Sequence, residues 1–176
     1  MTGNKHCIAL VGVILADTTL AIPDFSASEK TFQLITQVIG RAGRTNNLGR
    51  AIIQTYLPDN PVLRAATTEN YTDFYTQELV ERANYNYPPF VYLLKAVLYR
   101  KNSQNGFKRA QEKASEIQRV YKTIQILGPA QPLRYKNSRG YGWQIIIKAK
   151  SRKILLEIAK NQLSDWTIEL DPITII

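Results

Sequence analysis

The first half of the chain predicts a βαβ unit. Residues 8–16 (IALVGVILA) form a nearly continuous apolar run rich in β-branched residues, which predicts a strand covered on both faces, as in a parallel sheet. Ser26 and Glu29 have the spacing of a capping box, and apolar residues then recur at helical spacing as far as Ile39. Residues 51–56 (AIIQTY) predict a second short strand. Strand, helix and strand in this order indicate the end of an α/β domain.

This unit is too short to be a whole domain, because a lone βαβ unit leaves much of its apolar sheet surface uncovered. We therefore expect the chain to begin partway through a fold. A Pro-Asp-Asn-Pro cluster at 58–61 breaks the chain after the second strand. Residues 71–84 then place aromatic and aliphatic side chains at helical spacing, and Tyr87-Pro88-Pro89-Phe90 ends that pattern. We interpret this stretch as a connecting helix whose aromatic stripe serves packing.

The rest of the chain predicts the order β-α-β-β-α-β. The first predicted elements are a strand at 91–100, a helix capped by Ser103, and a strand at 124–127 and 131–135 that Gly128-Pro129 interrupts. A loop at 136–142 and a strand at 143–149 follow. The last elements are a helix capped by Ser151 and ending near Leu163, and extended segments at 166–170 and 173–176. This order is typical of a ferredoxin-like split βαβ sandwich, with four antiparallel strands and two helices on one face. The predicted division is 1–70 for the α/β part, 71–90 for the connector and 91–176 for the α+β domain.

The excess of positive over negative charge is confined to the second part of the chain. The formal net charge is +9, and residues 91–163 hold sixteen Lys and Arg against three Asp and Glu, whereas residues 1–90 hold seven against eight. A segment with thirteen excess positive charges (16 − 3) attracts a polyanion, and nucleic acid is the commonest such partner in the cytoplasm. The alternative is a solvated surface that only aids solubility.

The candidate DNA-binding residues lie around the predicted loop at 136–142. They are Arg134, Lys136 and Arg139 in or beside the loop, Trp143 after it, and Lys148 and Lys150 on the strand that leaves it. Lysines and arginines this dense are rarely buried, so we expect them on the surface. Two interpretations of Trp143 stay open, as a residue that stacks on a base or as a core residue.

The amino-acid composition argues against several classes of protein. The chain has one cysteine and one histidine, so it cannot build a disulfide framework or a cysteine-rich zinc site, and we predict no metal site. No run of eighteen apolar residues occurs, and the N-terminus lacks the regions of a signal peptide. We expect a cytoplasmic, monomeric protein without a membrane segment.

The strongest candidate for chemistry is the run Gln37–Arg44 (QVIGRAGR). If the helix continues through it, Gln37, Arg41 and Arg44 share a face. Guanidinium groups offer paired donors that match phosphate oxygens, and the glycines at 40 and 43 remove side-chain bulk. The alternative is a pair of surface arginines near a helix end, where the helix dipole favours cations.

At this point a resemblance becomes specific. QVIGRAGR resembles motif VI of superfamily-two helicases, and residues 10–17 (LVGVILAD) are similar to the end of motif V. The run at 23–37 (PDFSASEKTFQLITQ) resembles the primosomal protein N′ family of replication-restart helicases in particular. The likeness continues through residues 87–90, 127–130, 143–148 and 171–172, so it covers almost the whole chain.

The resemblance implies half of an ATP site. In the family, the two arginines reach the γ-phosphate held by another motor lobe, which assigns catalytic roles to Gln37, Arg41 and Arg44 and nucleotide contacts to Gly40 and Asp17 as well. ATP and Mg²⁺ would be shared with that lobe, because no phosphate-binding loop of the GxxxxGK[ST] type and no acidic metal box occur here. We therefore expect this chain alone not to hydrolyse ATP. Two departures are the loose match of residues 2–6 to motif V and Lys30 where arginine is frequent.

The resemblance also implies the fold and the partners. It implies a partial RecA-like helicase lobe followed by a C-terminal domain similar to a small-subunit ribosomal protein. The implied partners are single-stranded and forked DNA, single-stranded-DNA-binding protein and primosome proteins. The implied activity is three-prime to five-prime DNA unwinding, and the family's cysteine-rich zinc insertion is missing. Two alternatives stay open, a non-catalytic nucleic-acid-binding module and a docking platform for the acidic tail of single-stranded-DNA-binding protein.

Overall fold

A computed structural model describes residues 10–42 and 49–176. The chain divides into two compact units, residues 1–81 and 82–176, and each of them combines helices with a sheet. The boundary between the units falls inside the helix that the sequence predicts as a connector, at residues 71–84. The protein is therefore a mixed α/β chain.

In the part that the structure describes, the first unit holds two parallel strands and four helices. They are β1 (Leu10–Val13), α1 (Asp17–Leu20), α2 (Ala27–Ala42), β2 (Arg50–Ile53), α3 (Pro61–Thr67) and α4 (Tyr71–Asn84), which ends just across the boundary between the units. The β1 strand pairs with β2 in register from Leu10 opposite Arg50 to Val13 opposite Ile53. The predicted strand, helix and strand are all present, and α4 has its predicted bounds.

The core of the first unit lies on one side of this small sheet. Phe32 of α2 stacks on Phe74 of α4 with ring centroids 4.3 Å apart, and Ile35 is fully buried. On the other side, Leu10 and Ile52 are each 58% exposed. The prediction that the first strand is covered on both faces is wrong for the described residues, because helices pack on one face only. The uncovered face is the one expected of a lone βαβ unit.

The α3 helix is missing from the sequence prediction, which ends the βαβ unit with a break at 58–61. Asn60 caps this helix by accepting a hydrogen bond from the Val62 amide at 2.9 Å, and Pro61 occupies the first helical turn. Asparagine before proline is a helix-start signal as well as a turn signal, because proline at the first helical position loses no hydrogen bond. The short α1 helix lies between the predicted strand and the predicted helix of the βαβ unit, where the sequence prediction has no element.

The second unit has the predicted order of elements with one short strand added. Its elements are β3 (Tyr92–Arg100), α5 (Ser103–Val120), β4 (Gln125–Ala130), β5 (Lys136–Asn137), β6 (Gly140–Ala149), α6 (Arg152–Gln162) and β7 (Thr167–Leu170). The sheet order is β4-β6-β3-β7 with antiparallel pairing throughout, and β5 pairs with β6. Both helices pack on one face of the sheet, through a core that includes Leu94, Ile117, Ile145, Leu155 and Ile158.

Several predicted boundaries in the second unit move. Residues 131–135 and 173–176 are not strands, whereas most of the predicted loop at 136–142 is a β5–β6 hairpin. The hairpin turn requires Gly140, which has φ +120° and would place a Cβ atom 2.3 Å from the Arg100 carbonyl oxygen. The cap of α5 is Asn102 instead of Ser103, since its side chain accepts from the Asn105 amide.

The face of the sheet without helices is covered by segments from both ends of the unit. We call it the helix-free face, and the cross-strand register assigns to it Leu93, Lys95, Val97 and Tyr99 of β3 and Gly142, Gln144, Ile146 and Lys148 of β6. The Gln144 amide nitrogen donates to the Ile175 carbonyl at 2.8 Å, and the Lys148 amine donates to the Tyr85 carbonyl at 2.9 Å. Leu93 and Ile146 are buried on this face.

Candidate functional sites

The C-terminal part of α2 presents the first candidate site. Gln37 and Arg41 lie one helical turn apart, and both are exposed, as is Gly40 between them. A Cβ atom built at Gly40 would meet nothing within 4 Å, so the space above this turn is open. The opposite side of α2 carries the buried Phe32 and Ile35. Packing on one side thus holds the polar side outward.

Part of the predicted motif lies outside the described residues, namely Gly43 and Arg44. Among the described residues, Arg41 makes no ion pair. Gln37 and Arg41 thus offer an amide and a guanidinium group to solvent from adjacent turns. Such a surface can bind a phosphate group.

Asp17 lies on α1 and is not part of the exposed face of α2. One carboxylate oxygen accepts a hydrogen bond from the Thr55 hydroxyl at 2.6 Å, and the other accepts from the Tyr56 amide at 2.9 Å. The hydrogen bond from Thr55, followed by that from the Tyr56 amide, lowers the pKa of Asp17. Both oxygens bind the chain segment just after β2, which favours a structural role for this carboxylate.

The β5–β6 hairpin presents the second candidate site. The Arg139 guanidinium carbon lies 4.4 Å from the centroid of the Tyr99 ring, and its Nη1 donates to the Thr167 hydroxyl at 3.3 Å. The Lys136 amine lies 5.1 Å from the centroid of the Tyr141 ring. Both cations are exposed. Two of the predicted DNA-binding cations therefore rest on tyrosine rings at the same end of the sheet.

Trp143 is half-buried and packs against α5. Its indole nitrogen donates to the Ser103 carbonyl at 2.9 Å, and its ring meets Phe107 edge-on with centroids 4.9 Å apart. A Cβ atom at Gly106 would come within 2.8 Å of the indole, so the helix approaches the ring closely. Of the two interpretations of Trp143, this packing favours the core residue.

Lys148 does not lie on a surface open to DNA, contrary to the sequence expectation. It is 4% exposed, its amine donates to the Tyr85 carbonyl, and it lies 3.4 Å from the centroid of the Tyr87 ring. Burial lowers its pKa to about 8. The density of cations along the chain misleads here, because strand alternation points Lys148 towards the covered helix-free face. Arg134 and Lys150 are exposed.

The tyrosines under the hairpin cations were missed by sequence reasoning. Tyr99 and Gly142 are cross-strand partners, as are Arg100 and Tyr141. A correct β3–β6 register would have placed both tyrosines beside the hairpin, but the predicted start of the strand at Trp143 leaves that end of the sheet unpaired. The residue that sequence reasoning needed was therefore the true start of β6, three residues before the predicted start at Trp143.

Residues 10–42 and 49–176 contain no cluster of three or more His, Cys, Asp or Glu side chains placed to hold a metal ion. In the same stretches, no helix has the length and apolar content needed to cross a membrane.

The two units define a mixed α/β chain whose second unit is an antiparallel sheet with helices on one face. Residues 83–173 match the family model described as the primosomal protein N C-terminal domain. This match covers more than half of the chain, which therefore belongs to that family.

Similar proteins come from several organisms. The chain is 39% identical over 170 residues to the replication restart protein PriA of Bacillus subtilis and 38% identical over 167 residues to that of Synechocystis. It is 31% identical over 172 residues to the protein of the same name from Thermotoga maritima. These alignments cover 93%, 93% and 96% of this chain but only 20%, 20% and 23% of the relatives. The chain thus spans about a fifth of the length of these relatives.

Proposed function

We propose that this chain is the C-terminal portion of an ATP-dependent DNA helicase that acts in replication restart. The observation that carries the proposal is the exposed turn of α2 formed by Gln37, Gly40 and Arg41, in a chain similar to proteins named for replication restart. A helicase needs cations that enter its nucleotide site when two lobes close, and an exposed arginine on a well-packed helix meets that need.

In this mechanism the chain supplies positive charge to the ATP site, and a preceding lobe binds the nucleotide. Arg41 and Arg44 donate hydrogen bonds to phosphate oxygens and stabilise the charge that develops during phosphoryl transfer. Gln37, one turn before Arg41, orients a phosphate or the attacking water. An arginine in this role is worth on the order of 10³-fold or more in rate. ATP with Mg²⁺ fits these donors only in part, since the residues for the metal and the other phosphates are not in this sequence.

We assign the first unit to the end of a RecA-like lobe. Support comes from the parallel pairing of β1 with β2 and from the uncovered sheet face that includes Leu10 and Ile52. Further strands and helices of such a lobe would cover that face. We assign the second unit to a ferredoxin-like fold, and its support is the strand order. Numbered within the unit, the four main strands run 2-3-1-4 with antiparallel neighbours and both helices on one face.

The second unit is the proposed DNA-binding part. Sixteen Lys and Arg occur between residues 91 and 163, and the exposed hairpin cations Lys136 and Arg139 lie at one end of the sheet. We propose single-stranded and forked DNA as its ligands, with single-stranded-DNA-binding protein and primosome proteins as further partners. Contacts of this kind are salt-sensitive and independent of sequence, because they are made to phosphates.

A chimera tests the proposed helicase role. This chain replaces the matching C-terminal fifth of the Bacillus subtilis relative, and DNA-stimulated ATP turnover is measured with Arg41 or Arg44 changed to alanine. We expect each variant to lose two or more orders of magnitude in turnover, with DNA affinity nearly unchanged. A chimera that turns over ATP equally well with both alanines would exclude the arginine-finger role. The second unit would then be a nucleic-acid-binding module without a contribution to the motor.

A further inference from the structure

We propose that Tyr99, Arg139 and Thr167 form a built phosphate-binding cradle, in which Tyr99 is the positioning residue for Arg139. The ligand is a phosphodiester group of a DNA strand, so the inference rests on the proposed DNA-binding function of the second unit. It goes further by assigning one particular arginine and the ring behind it.

The first step is that Arg139 has a defined orientation. An arginine on a surface turn ordinarily samples many rotamers, and ordering it costs conformational entropy when it binds a ligand. Here the guanidinium carbon lies 4.4 Å from the Tyr99 centroid, and Nη1 donates to the Thr167 hydroxyl. Ring and hydroxyl together hold the side chain before any ligand arrives.

The second step is that the backbone under Arg139 is also fixed. Its amide donates to the Asn137 side-chain oxygen at 2.8 Å, and Gly140 follows in a conformation that only glycine adopts readily. On the opposite strand, Gly142 leaves room for the ring, because a Cβ atom there would lie 3.0 Å from Tyr99 Cε1. Turn and ring are thus held by separate contacts.

The third step is that no carboxylate of the described residues forms an ion pair with the Arg139 guanidinium. Arg100, the neighbour of Tyr99 in sequence, pairs with Asp165 at 2.6 Å, and Arg152 pairs with Asp171 at 3.1 Å. Arg139 forms no ion pair with any residue in the described part of the chain, and one hydrogen bond uses only one of its five donors. The remaining donors match two oxygens of a phosphate group.

The test compares planar and point charges at this position in the whole chain. Arg139→Lys keeps the charge but loses the flat contact with Tyr99 and the paired donors, so we expect affinity for a fluorescent oligonucleotide to fall about fivefold or more at fixed salt. The matched control is Arg119→Lys on α5, an exposed arginine far from the hairpin in sequence, for which we expect less than a twofold change. Equal, small effects of both lysine variants would overturn the cradle.

The second arm changes the ring without changing any charge. Tyr99→Leu removes the cation–π partner, and we expect a loss of about two- to fivefold in affinity, whereas Tyr99→Phe keeps the ring and should bind as the parent does. The salt dependence of binding should stay nearly the same for Tyr99→Leu, because Arg139 still neutralises a phosphate. Thermal unfolding of each variant shows whether the fold is kept. A Tyr99→Leu variant that is folded and binds like the parent would overturn the positioning role.

A third arm separates this inference from the proposed DNA-binding function. Lys136→Glu combined with Arg139→Glu reverses the hairpin charge. If this double variant weakens DNA binding while Arg139→Lys and Tyr99→Leu do not, the hairpin binds DNA by charge alone and the cradle is wrong. If the double variant also binds like the parent, the DNA-binding surface lies away from the hairpin and the cradle is wrong. A parent chain that binds no oligonucleotide even at low salt would overturn the proposed DNA-binding function itself.

Discussion

The amine of the buried Lys148 lies 3.4 Å from the ring centroid of the half-buried Tyr87 and forms a cation–π pair with it. The same nitrogen donates to the Tyr85 carbonyl, so one amine holds two residues of the segment that leads into β3. Such a pair is stronger when it is removed from water. It holds the start of the second unit against the end of β6, an inner strand of its sheet.

The burial of Lys148 should make stability depend on pH in the alkaline range. The pKa of Lys148 is lowered to about 8 in the folded protein, against an ordinary value of 10.5. Between these values the unfolded chain binds more protons than the folded one, so the free energy of unfolding rises with pH from about 8 upward. Below pH 8 both states are protonated and the cost of burying the charge is fully present. We expect this rise to disappear in Lys148→Met, as measured by urea unfolding at pH 7 to 9.5. A parent and variant with parallel pH profiles would contradict it.

The isolated chain should neither hydrolyse ATP nor gain stability from it. One exposed face with Gln37 and Arg41 offers few contacts to a triphosphate, and the phosphate-binding loop is not in this sequence. We expect a thermal unfolding midpoint that is unchanged within about one degree on adding magnesium and ATP. A rise of several degrees would mean that the chain carries a nucleotide site of its own.

Gly40→Ala separates catalysis from folding at the α2 site. A Cβ atom at this position meets no neighbour within 4 Å, and alanine in a helix is more favourable than glycine by about 1 kcal/mol. We expect the isolated chain to unfold at higher temperature. In the chimera with the Bacillus subtilis relative, we expect turnover to fall by about tenfold or more, because the methyl group fills the space above the turn. Unchanged turnover would show that no phosphate approaches Gly40.

Charge reversal at Lys136 and Arg139 should weaken DNA binding and change its salt dependence. The logarithm of the affinity is expected to fall by roughly 0.7 to 0.9 per logarithmic unit of salt for each phosphate neutralised. Removing two contacts should therefore flatten the slope by about 1.4 to 1.8. Fluorescence anisotropy at four salt concentrations measures both quantities. If the DNA affinity of the parent chain does not change with salt concentration, phosphate contacts are excluded.

Trp143→Phe should affect stability and leave DNA binding alone. The variant keeps an aromatic ring against Phe107 but removes the N–H that donates to Ser103. Loss of that hydrogen bond and of part of the packed ring should cost about 1 to 2 kcal/mol. Urea unfolding and oligonucleotide binding on the same sample distinguish the two roles. A folded variant with DNA affinity reduced tenfold would restore Trp143 as a stacking residue.

The elements of this fold were largely predictable, because they follow from periodicity within single segments. The spacing of apolar residues alone predicts the helix at 71–84 and the order of strands and helices after residue 91. Strand ends were less accurate. The β6 strand begins at Gly140, three residues before the apolar run that predicts it, because hairpin pairing with β5 extends a strand beyond its buried part.

The candidate sites were predictable only where one segment supplies the whole pattern. Gln37 and Arg41 lie on one helix, so their common exposed face follows from the helical repeat. Lys148 and Arg139 are both cations near one strand, yet one is buried and the other rests on a tyrosine from β3. That difference depends on which chain segment covers the sheet, and no local pattern in the sequence contains it.

The covering of the helix-free face sets the smallest piece of this protein that can be expected to fold well. The Gln144 side chain is hydrogen-bonded to the Ile175 carbonyl, and the Lys148 amine is hydrogen-bonded to the Tyr85 carbonyl. Segments near residues 85 and 175 therefore cover this face of the sheet. A fragment that begins at β3 or stops at β7 would open a buried lysine and a buried glutamine to water. Expression of the second unit should therefore start before Tyr85 and continue through Ile176.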